Sequence, residues 1–206
     1  MIKQILVVLI TMQLAVQMHA QSYTEEMDRY REQYKQEFLH DARSPLKAEQ
    51  LAGIRFYEPD STYRVNAVFT ATKDSIGFEM MTHNRVPKKY YVYGQVQFQL
   101  KGSTYTLRLY QSDKLKHMAG MEDELFLPFT DETNYRETFG GGRYLDFHIP
   151  DIKDGRLVID FNKCYNPYCA YAEGYACPIP PRENDMPASV RAGEKLFVQP
   201  WNGQGE

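Results

Sequence analysis

The sequence predicts a mainly β protein, an antiparallel sheet forming a barrel-like or sandwich core behind an N-terminal amphipathic helix. Three observations carry this. Met27, Tyr30, Tyr34 and Phe38 recur at three- and four-residue spacing, which puts them on one face of a helix. Further on the period changes to two, so that QVQFQL sends Val96, Phe98 and Leu100 to one side and Gln95, Gln97 and Gln99 to the other. Lys101-Gly102 and Asp154-Gly155 stand between alternating runs, where a hairpin needs residues that tolerate a tight reversal.

The chain opens MIKQILVVLITMQLAVQMHA, with Lys3 ahead of an apolar run and Ala20 before a polar segment, the order of a secretory signal peptide. Residues 1–20 are therefore read as a signal peptide and 21–206 as a single domain. The apolar run is shorter than a bilayer span needs and Gln13 and Gln17 interrupt it, so no stable membrane insertion is expected after cleavage. The protein is expected to be exported, to the periplasm or outside the cell. In the first mature segment Ser22 and Glu25 have the spacing of a capping box. A second short helix is expected from Ser44-Pro45 to Gly53.

Tyr63, Val65, Ala67 and Phe69 alternate along one expected strand, and the polar TKDS segment would turn it into a second strand carrying Ile76, Phe78 and Met80. Tyr105, Leu107 and Leu109 continue the alternation after Lys101-Gly102. EDELFLPFTDET reads as a short strand ended by Pro128, because proline has no N–H for a central ladder. RYLDFHIPDIKDGRLVIDF reads as another hairpin, with Leu145, Phe147 and Ile149 facing Leu157, Ile159 and Phe161. The proline-rich tail from Pro178 should run extended over the surface before a short final strand or turn.

Composition limits the function. The 206 residues carry a formal charge of −3, with acidic and basic residues mixed and no long basic run, so nucleic-acid binding is not expected. Residues 160–178, DFNKCYNPYCAYAEGYACP, hold all three cysteines. In an exported chain a Cys169–Cys177 disulfide is the first reading, with reduced structural thiols as the alternative and Cys164 left over. Spacings of five and eight do not match compact zinc motifs, so no metal is expected, and no cofactor motif is present. FGGGRYLD could offer backbone N–H groups and Arg143 to an anion, but it lacks the phosphate-loop order and reads first as a tight structural loop. Asp146, His148, Asp160 and Glu183 are candidates for acid–base chemistry, and Cys169 for a nucleophile, without a motif that singles out any of them. Tyr90, Tyr91 and Tyr93, with Tyr165, Tyr168, Tyr171 and Tyr175, could cover a small molecule or a glycan, or could seal the end of the sheet.

YVYGQVQFQL, LFLPFTDETNYRETFGGGRYLD, DFNKCYNPYCAY, CPIPPREN and the later AGE resemble, in order, the motifs of the bacterial family catalogued as domain of unknown function 1684. The resemblance covers approximately residues 40–195 and implies no established activity, substrate or cofactor. Among the positions that match its motifs, Tyr93, Asp131, Arg143, Tyr144, Asp160, Asn162, Asn166, Glu183 and Asn184, together with neighbouring Tyr168, are the candidate ligand-binding residues. Asn134-Tyr135-Arg136 stands where the family has a smaller, glycine-containing turn, and Cys164 where alanine is common. Three functions remain open: a module binding a small molecule, glycan or peptide; a hydrolase or isomerase using Asp, His or Glu; and a noncatalytic structural or assembly protein. The sequence leaves the oligomeric state open.

Overall fold

The computed structural model describes residues 2–73 and 75–200, with side chains from Gln21 onward. Helix α1 (Ile2–His40) leads into strands β1 (Arg64–Ala71), β2 (Phe78–Met80), β3 (Lys88–Leu100), β4 (Ser103–Ser112), β5 (Glu124–Asp131), β6 (Arg143–His148), β7 (Arg156–Asp160) and β8 (Asp185–Met186). The main path of the sheet is β6-β5-β4-β3-β1-β7, with β2 on β3 and β8 beside β5. All the pairings are antiparallel except β5 with β8. The sheet curls into an open barrel whose two edges are β6 and β7. The protein is mainly β, with a helix in front, as the periodicities predict.

β3 and β4 form the long hairpin around Lys101-Gly102, both at positive φ (49° and 84°). Its inward residues Val96, Phe98, Leu100, Leu107 and Leu109 are buried while the glutamines face solvent. They pack with Ala67, Leu125, Leu127, Phe129, Leu145, Phe147, Leu157, Ile159 and Phe161 in one core.

Several expectations are corrected. The helix runs unbroken through Ser22 in the intact chain, so upstream carbonyls take the N–H groups that a capping box would serve. The second helix is a 3₁₀ turn starting at Ala48, because the Ser44 hydroxyl accepts from Leu46 N–H in a local turn and Gln50 caps Lys47 instead. β2 pairs with β3 rather than with β1, and Ile76 lies outside it, 89% exposed. β5 runs through Pro128. Tyr144 opposite it gives both its backbone groups to Tyr165, so that cross-strand pair needs no proline N–H.

On its other side β5 meets β4 in register only at Tyr110–Phe126, and the Asn184 side chain fills the interruption. Its amide accepts from Arg108 N–H (2.8 Å) and donates to the carbonyls of Arg108 (2.9 Å) and Pro128 (2.7 Å), acting as a surrogate strand residue. The tail from Pro178 does not simply cross the surface: Asn184, Met186, Val190, Ala192 and Glu194 are buried. β6 and β7 do not form a hairpin either. Pro150 lies in a 3₁₀ turn capped by Asp151 on His148 N–H, and the tight reversal at Asp154-Gly155 then leads β7 to the free edge of β1.

The helix lies against this framework through the predicted stripe together with Tyr23, Glu26 and Arg31. Met27 and Phe38 are buried, Tyr30 donates to Lys163 O (3.0 Å), and Tyr23 donates to both oxygens of Asp160 (3.0 and 3.1 Å). Glu26 adds ion pairs to Arg64 and Lys163. Because Asp160 also receives Asn162 N–H and Nδ2, one carboxylate fixes both the end of β7 and the helix. Tyr23→Phe removes a hydrogen bond to a charged acceptor, and a loss of about 1.5–3 kcal/mol is expected in urea unfolding, with the sheet's circular dichroism unchanged.

Candidate functional site

Two adjoining recesses lie between the helix and the open side of the barrel. The first, about 550 Å³, is lined by Tyr30, Tyr34, Phe38, Tyr144, Tyr165, Tyr168 and Tyr175, with Glu37, Asp41, Asp146, Arg43 and Lys88 among them and the Cys177-Pro178 segment as one wall. The second, about 580 Å³, lies between β6 and β7 and shares Tyr30, Asp146 and Tyr165 with the first.

Each tyrosine of the first recess spends its hydroxyl inside the protein. Tyr30 donates to Lys163 O, Tyr34 to Glu194, Tyr144 to Pro178 O, Tyr165 to Asp146, Tyr168 to Asp41 (2.8 Å) and Tyr175 to Arg43 O (2.8 Å). These bonds fix the rings. What remains for a visitor is ring surface, flanked by the carboxyl of Asp146, which accepts from Tyr165, and the ammonium of Lys88, which gives one of its three donors to Ala176 O. The rings also brace one another: Tyr168 meets Tyr175 edge to face at 5.4 Å, and Tyr144 meets Tyr165 at 5.8 Å. Asp146 exposes its surface to the recesses yet has an interior density of protein atoms around it, as a side chain on a concave wall does. That desolvation pushes its carboxyl up to about 6, against the opposing hydrogen bond from Tyr165.

Behind the rings lies a buried polar frame. Arg143 is fully buried. It donates to Asp131 (3.3 Å) and to the carbonyls of Val190 (2.8 Å), Ala192 and Glu194. Asp131 in turn accepts from Val190 N–H (2.7 Å) and the Thr133 hydroxyl. Asn162 exchanges two hydrogen bonds with the backbone of Asp60, and Asn166 donates to Lys195 O and, through its N–H, to Glu194. Gly142, at φ +85°, has no room for a Cβ, which would come within 2.5 Å of Phe129 O and 2.7 Å of Pro180. The glycine run is a tight structural turn that aims Arg143 inward.

The ten candidate binding residues therefore separate. Tyr144 and Tyr168 line the first recess and Asp160 the second. Asp131, Arg143, Asn162, Asn166 and Asn184 are buried, with their hydrogen bonds directed to internal partners. Tyr93 stacks on Phe69 at 5.9 Å, and Glu183 pairs with Arg108 at 3.0 Å; both lie outside the two recesses. Cys169 and Cys177 form a disulfide, Cα to Cα 6.2 Å, which removes the thiol a nucleophile would need. Cys164 is buried, its thiol pushed up to about 12 by desolvation, the chemistry of a packed side chain rather than a reactive one. His148 is half-exposed beside Asp123 (3.5 Å), outside both recesses. Among the described residues no cluster of three or more His, Cys, Asp or Glu could hold a metal ion.

Sequence reasoning passed over Asp146 as a binding residue, the contribution of the helix, and Glu194. The AGE motif contains Glu194, but only the fold shows its role. It is fully buried and accepts from Tyr171 (2.6 Å), Tyr34 (3.0 Å) and Asn166 N–H (2.9 Å). Gly193 before it, at φ +72°, permits the close approach to the backbone of Cys164 and Phe161.

An open antiparallel barrel with a helix laid against its unpaired edges and a tyrosine-lined recess beneath that helix defines the class of protein. The chain belongs to the family described as Protein of unknown function (DUF1684), whose model matches residues 49–195. The helix residues of the recess lie outside that match. The solution NMR structure of an uncharacterized protein of Haloarcula marismortui is similar, at 27% identity and a TM-score of 0.64, over 85% of this chain and 95% of that one. Among curated proteins no relative matches.

Desolvation raises the Glu194 carboxyl to about 7 from an ordinary 4.5. The folded protein therefore holds a proton that the unfolded chain releases above about pH 4.5. The associated stability, about 3 kcal/mol for the shift, is present below that pH and is lost as pH rises through 7. Asp146 contributes with the same sign up to about pH 6. Urea unfolding across pH 4.5–8 should show a decline that Glu194→Gln flattens between pH 5 and 7.

Proposed function

We propose that the protein is an exported, noncatalytic binding module whose first recess takes a glycan or a sugar-like small molecule. One observation carries the reading: the recess presents six tyrosine rings whose hydroxyls are already bonded within the protein. Ring surfaces bind the apolar C–H face of a sugar, and a flanking carboxyl and ammonium bind its hydroxyls or an acidic substituent. Asp146 and Lys88 supply those groups. A catalytic reading has less support, because the other carboxylates of the second recess are committed, Asp160 to Tyr23 and Asn162 and Asp151 to His148 N–H.

Export rests on the leader-like sequence of residues 1–20 and agrees with a disulfide between Cys169 and Cys177. Cleavage after Ala20 would start the helix just before Ser22, where the Ser22–Glu25 capping box would meet newly freed N–H groups.

Saturation-transfer NMR with a panel of neutral and uronic-acid oligosaccharides tests the binding. At least one should bind saturably, and Tyr168→Ala should weaken it by roughly twofold to tenfold while the fold, followed by circular dichroism, persists. Absence of binding across the panel, or an unaffected Tyr168→Ala, rejects the reading. Intact-mass spectrometry of the exported protein should give a chain that begins at Gln21, as glutamine or its cyclised pyroglutamate; an exported chain that retains Met1 contradicts cleavage.

A further inference from the structure

We infer that the gap between β6 and β7 is a second binding site, for a short extended segment of a partner polypeptide that carries a carboxylate, held by strand pairing.

In an antiparallel pair, alternate residues direct their N–H and C=O toward one neighbour and then away from it. On β6, Tyr144 exchanges both groups with Tyr165, on the side away from β5 (2.9 and 3.0 Å). Two residues on, Asp146 points the same way. On β7, Gly155 O accepts from Phe69 N–H of β1, so Leu157 and Ile159 face β1, and Arg156 and Val158 face away. Arg156 confirms the phase, since its outward groups bond to Lys153. Among the described residues no hydrogen bond involves the backbone groups of Asp146 or Val158 on their outward side. Two free strand positions therefore face one gap.

The second recess is that gap. Its lining includes Leu145, Phe147 and Leu157, which point toward the barrel interior, so it opens between the strands and not merely over them. Its ends are closed by the 3₁₀ turn at 149–151 on one side and by Tyr165 on the other, which leaves a window about three residues long. Tyr165 also shows that this edge of β6 accepts antiparallel pairing. Charge indicates the partner's chemistry. Arg64 and Lys163 share Glu26, Arg64 also lies 4.0 Å from Asp160, Asp160 and Asp151 accept from internal donors, and Asp146 accepts from Tyr165. Lys153 and Arg156 line the recess without an ion pair among the described residues. They leave positive charge at one end of the window, which an acidic side chain or a C-terminal carboxylate would meet.

The experiment uses the ¹⁵N-labelled protein and an equimolar pool of N-acetylated tripeptides ending in Asp, with random residues at the first two positions. Saturable shifts and slowed exchange at the amides of Asp146 and Val158 are expected, with loss of both when the pool is N-methylated at its central amide. A pool ending in Lys should bind at least roughly tenfold more weakly, and the exposed double variant Lys153→Glu/Arg156→Glu should weaken the Asp pool to a similar degree. Three results overturn the site: no change at either amide, equal binding of the N-methylated pool, or shifts confined to the ring recess around Tyr168. Acetate alone reproducing the shifts would reveal only adventitious anion binding and also overturns it. The oligosaccharide measurements report on Tyr168 and the first recess, so either site can fail while the other stands.

Discussion

The buried guanidinium of Arg143 is the constraint from which the rest of the architecture follows. A cation removed from water must be matched by acceptors on nearly all its donors. Asp131 gives it a countercharge, and three carbonyls of the 190–194 segment accept from its two terminal nitrogens. A proline-rich tail that has little reason to form regular structure is thereby tied to the base of β6. The same segment delivers Glu194 into the interior, where it collects Tyr34 from the helix, Tyr171 from the cysteine loop and the N–H of Asn166. One ion pair at the start of β6 thus connects sheet, tail, loop and helix, and the tyrosine recess lies where the last three meet.

The polar residues around that connection share a physical task. Asn184 and Asn162 each use a side-chain amide as a piece of backbone, donor and acceptor together, and Asn166 uses its amide donor alone, at places where the chain cannot supply its own ladder. Pro128 withholds an N–H beside Arg108; the segment at Asp60 enters β1 by a 3₁₀ turn; the tail passes Lys195 without forming a strand. An amide carries donor and acceptor in the geometry of a peptide group, so asparagine closes such gaps with few uncompensated buried atoms. This accounts for buried asparagines within the family motifs without assigning them a ligand.

Periodicity made the strands and the helix stripe legible, because burial of one face imposes it on the sequence. Val96, Phe98 and Leu100, or Met27, Tyr30, Tyr34 and Phe38, could be assigned a face directly. The pairing partners were not legible. Leu145, Phe147, Leu157 and Ile159 alternate as hairpin strands do, yet the alternation records only which side is inward and is silent on which strand lies beside which. The site was legible in its chemistry and not in its address. The tyrosines of residues 165–175 were visible as a cluster, but Tyr30, Tyr34 and Asp146 join them only through long-range folding. Arg143 illustrates the converse: a guanidinium beside three glycines has the composition of an anion site as well as of the tight structural loop read first, and its inward direction is set by the backbone at Gly142 and not by residue type.

The open barrel itself has a physical reason. Closing it would require β6 and β7 to pair, but each edge is already partly occupied: Tyr165 sits on β6, and Lys153 folds back on Arg156 of β7. Tyr23, Tyr30 and Glu26 then tie the helix to Asp160, Lys163 and Arg64, at the end of β7 and the start of β1. Exposed edges are a hazard because they template pairing with other chains, and proteins blunt them with short strands, charges and covering elements. All three are present here, and together they reduce two open edges to a short window. A window that narrow is too short to template open-ended sheet growth yet long enough to hold a few peptide bonds, which is the geometry that separates selective strand addition from aggregation.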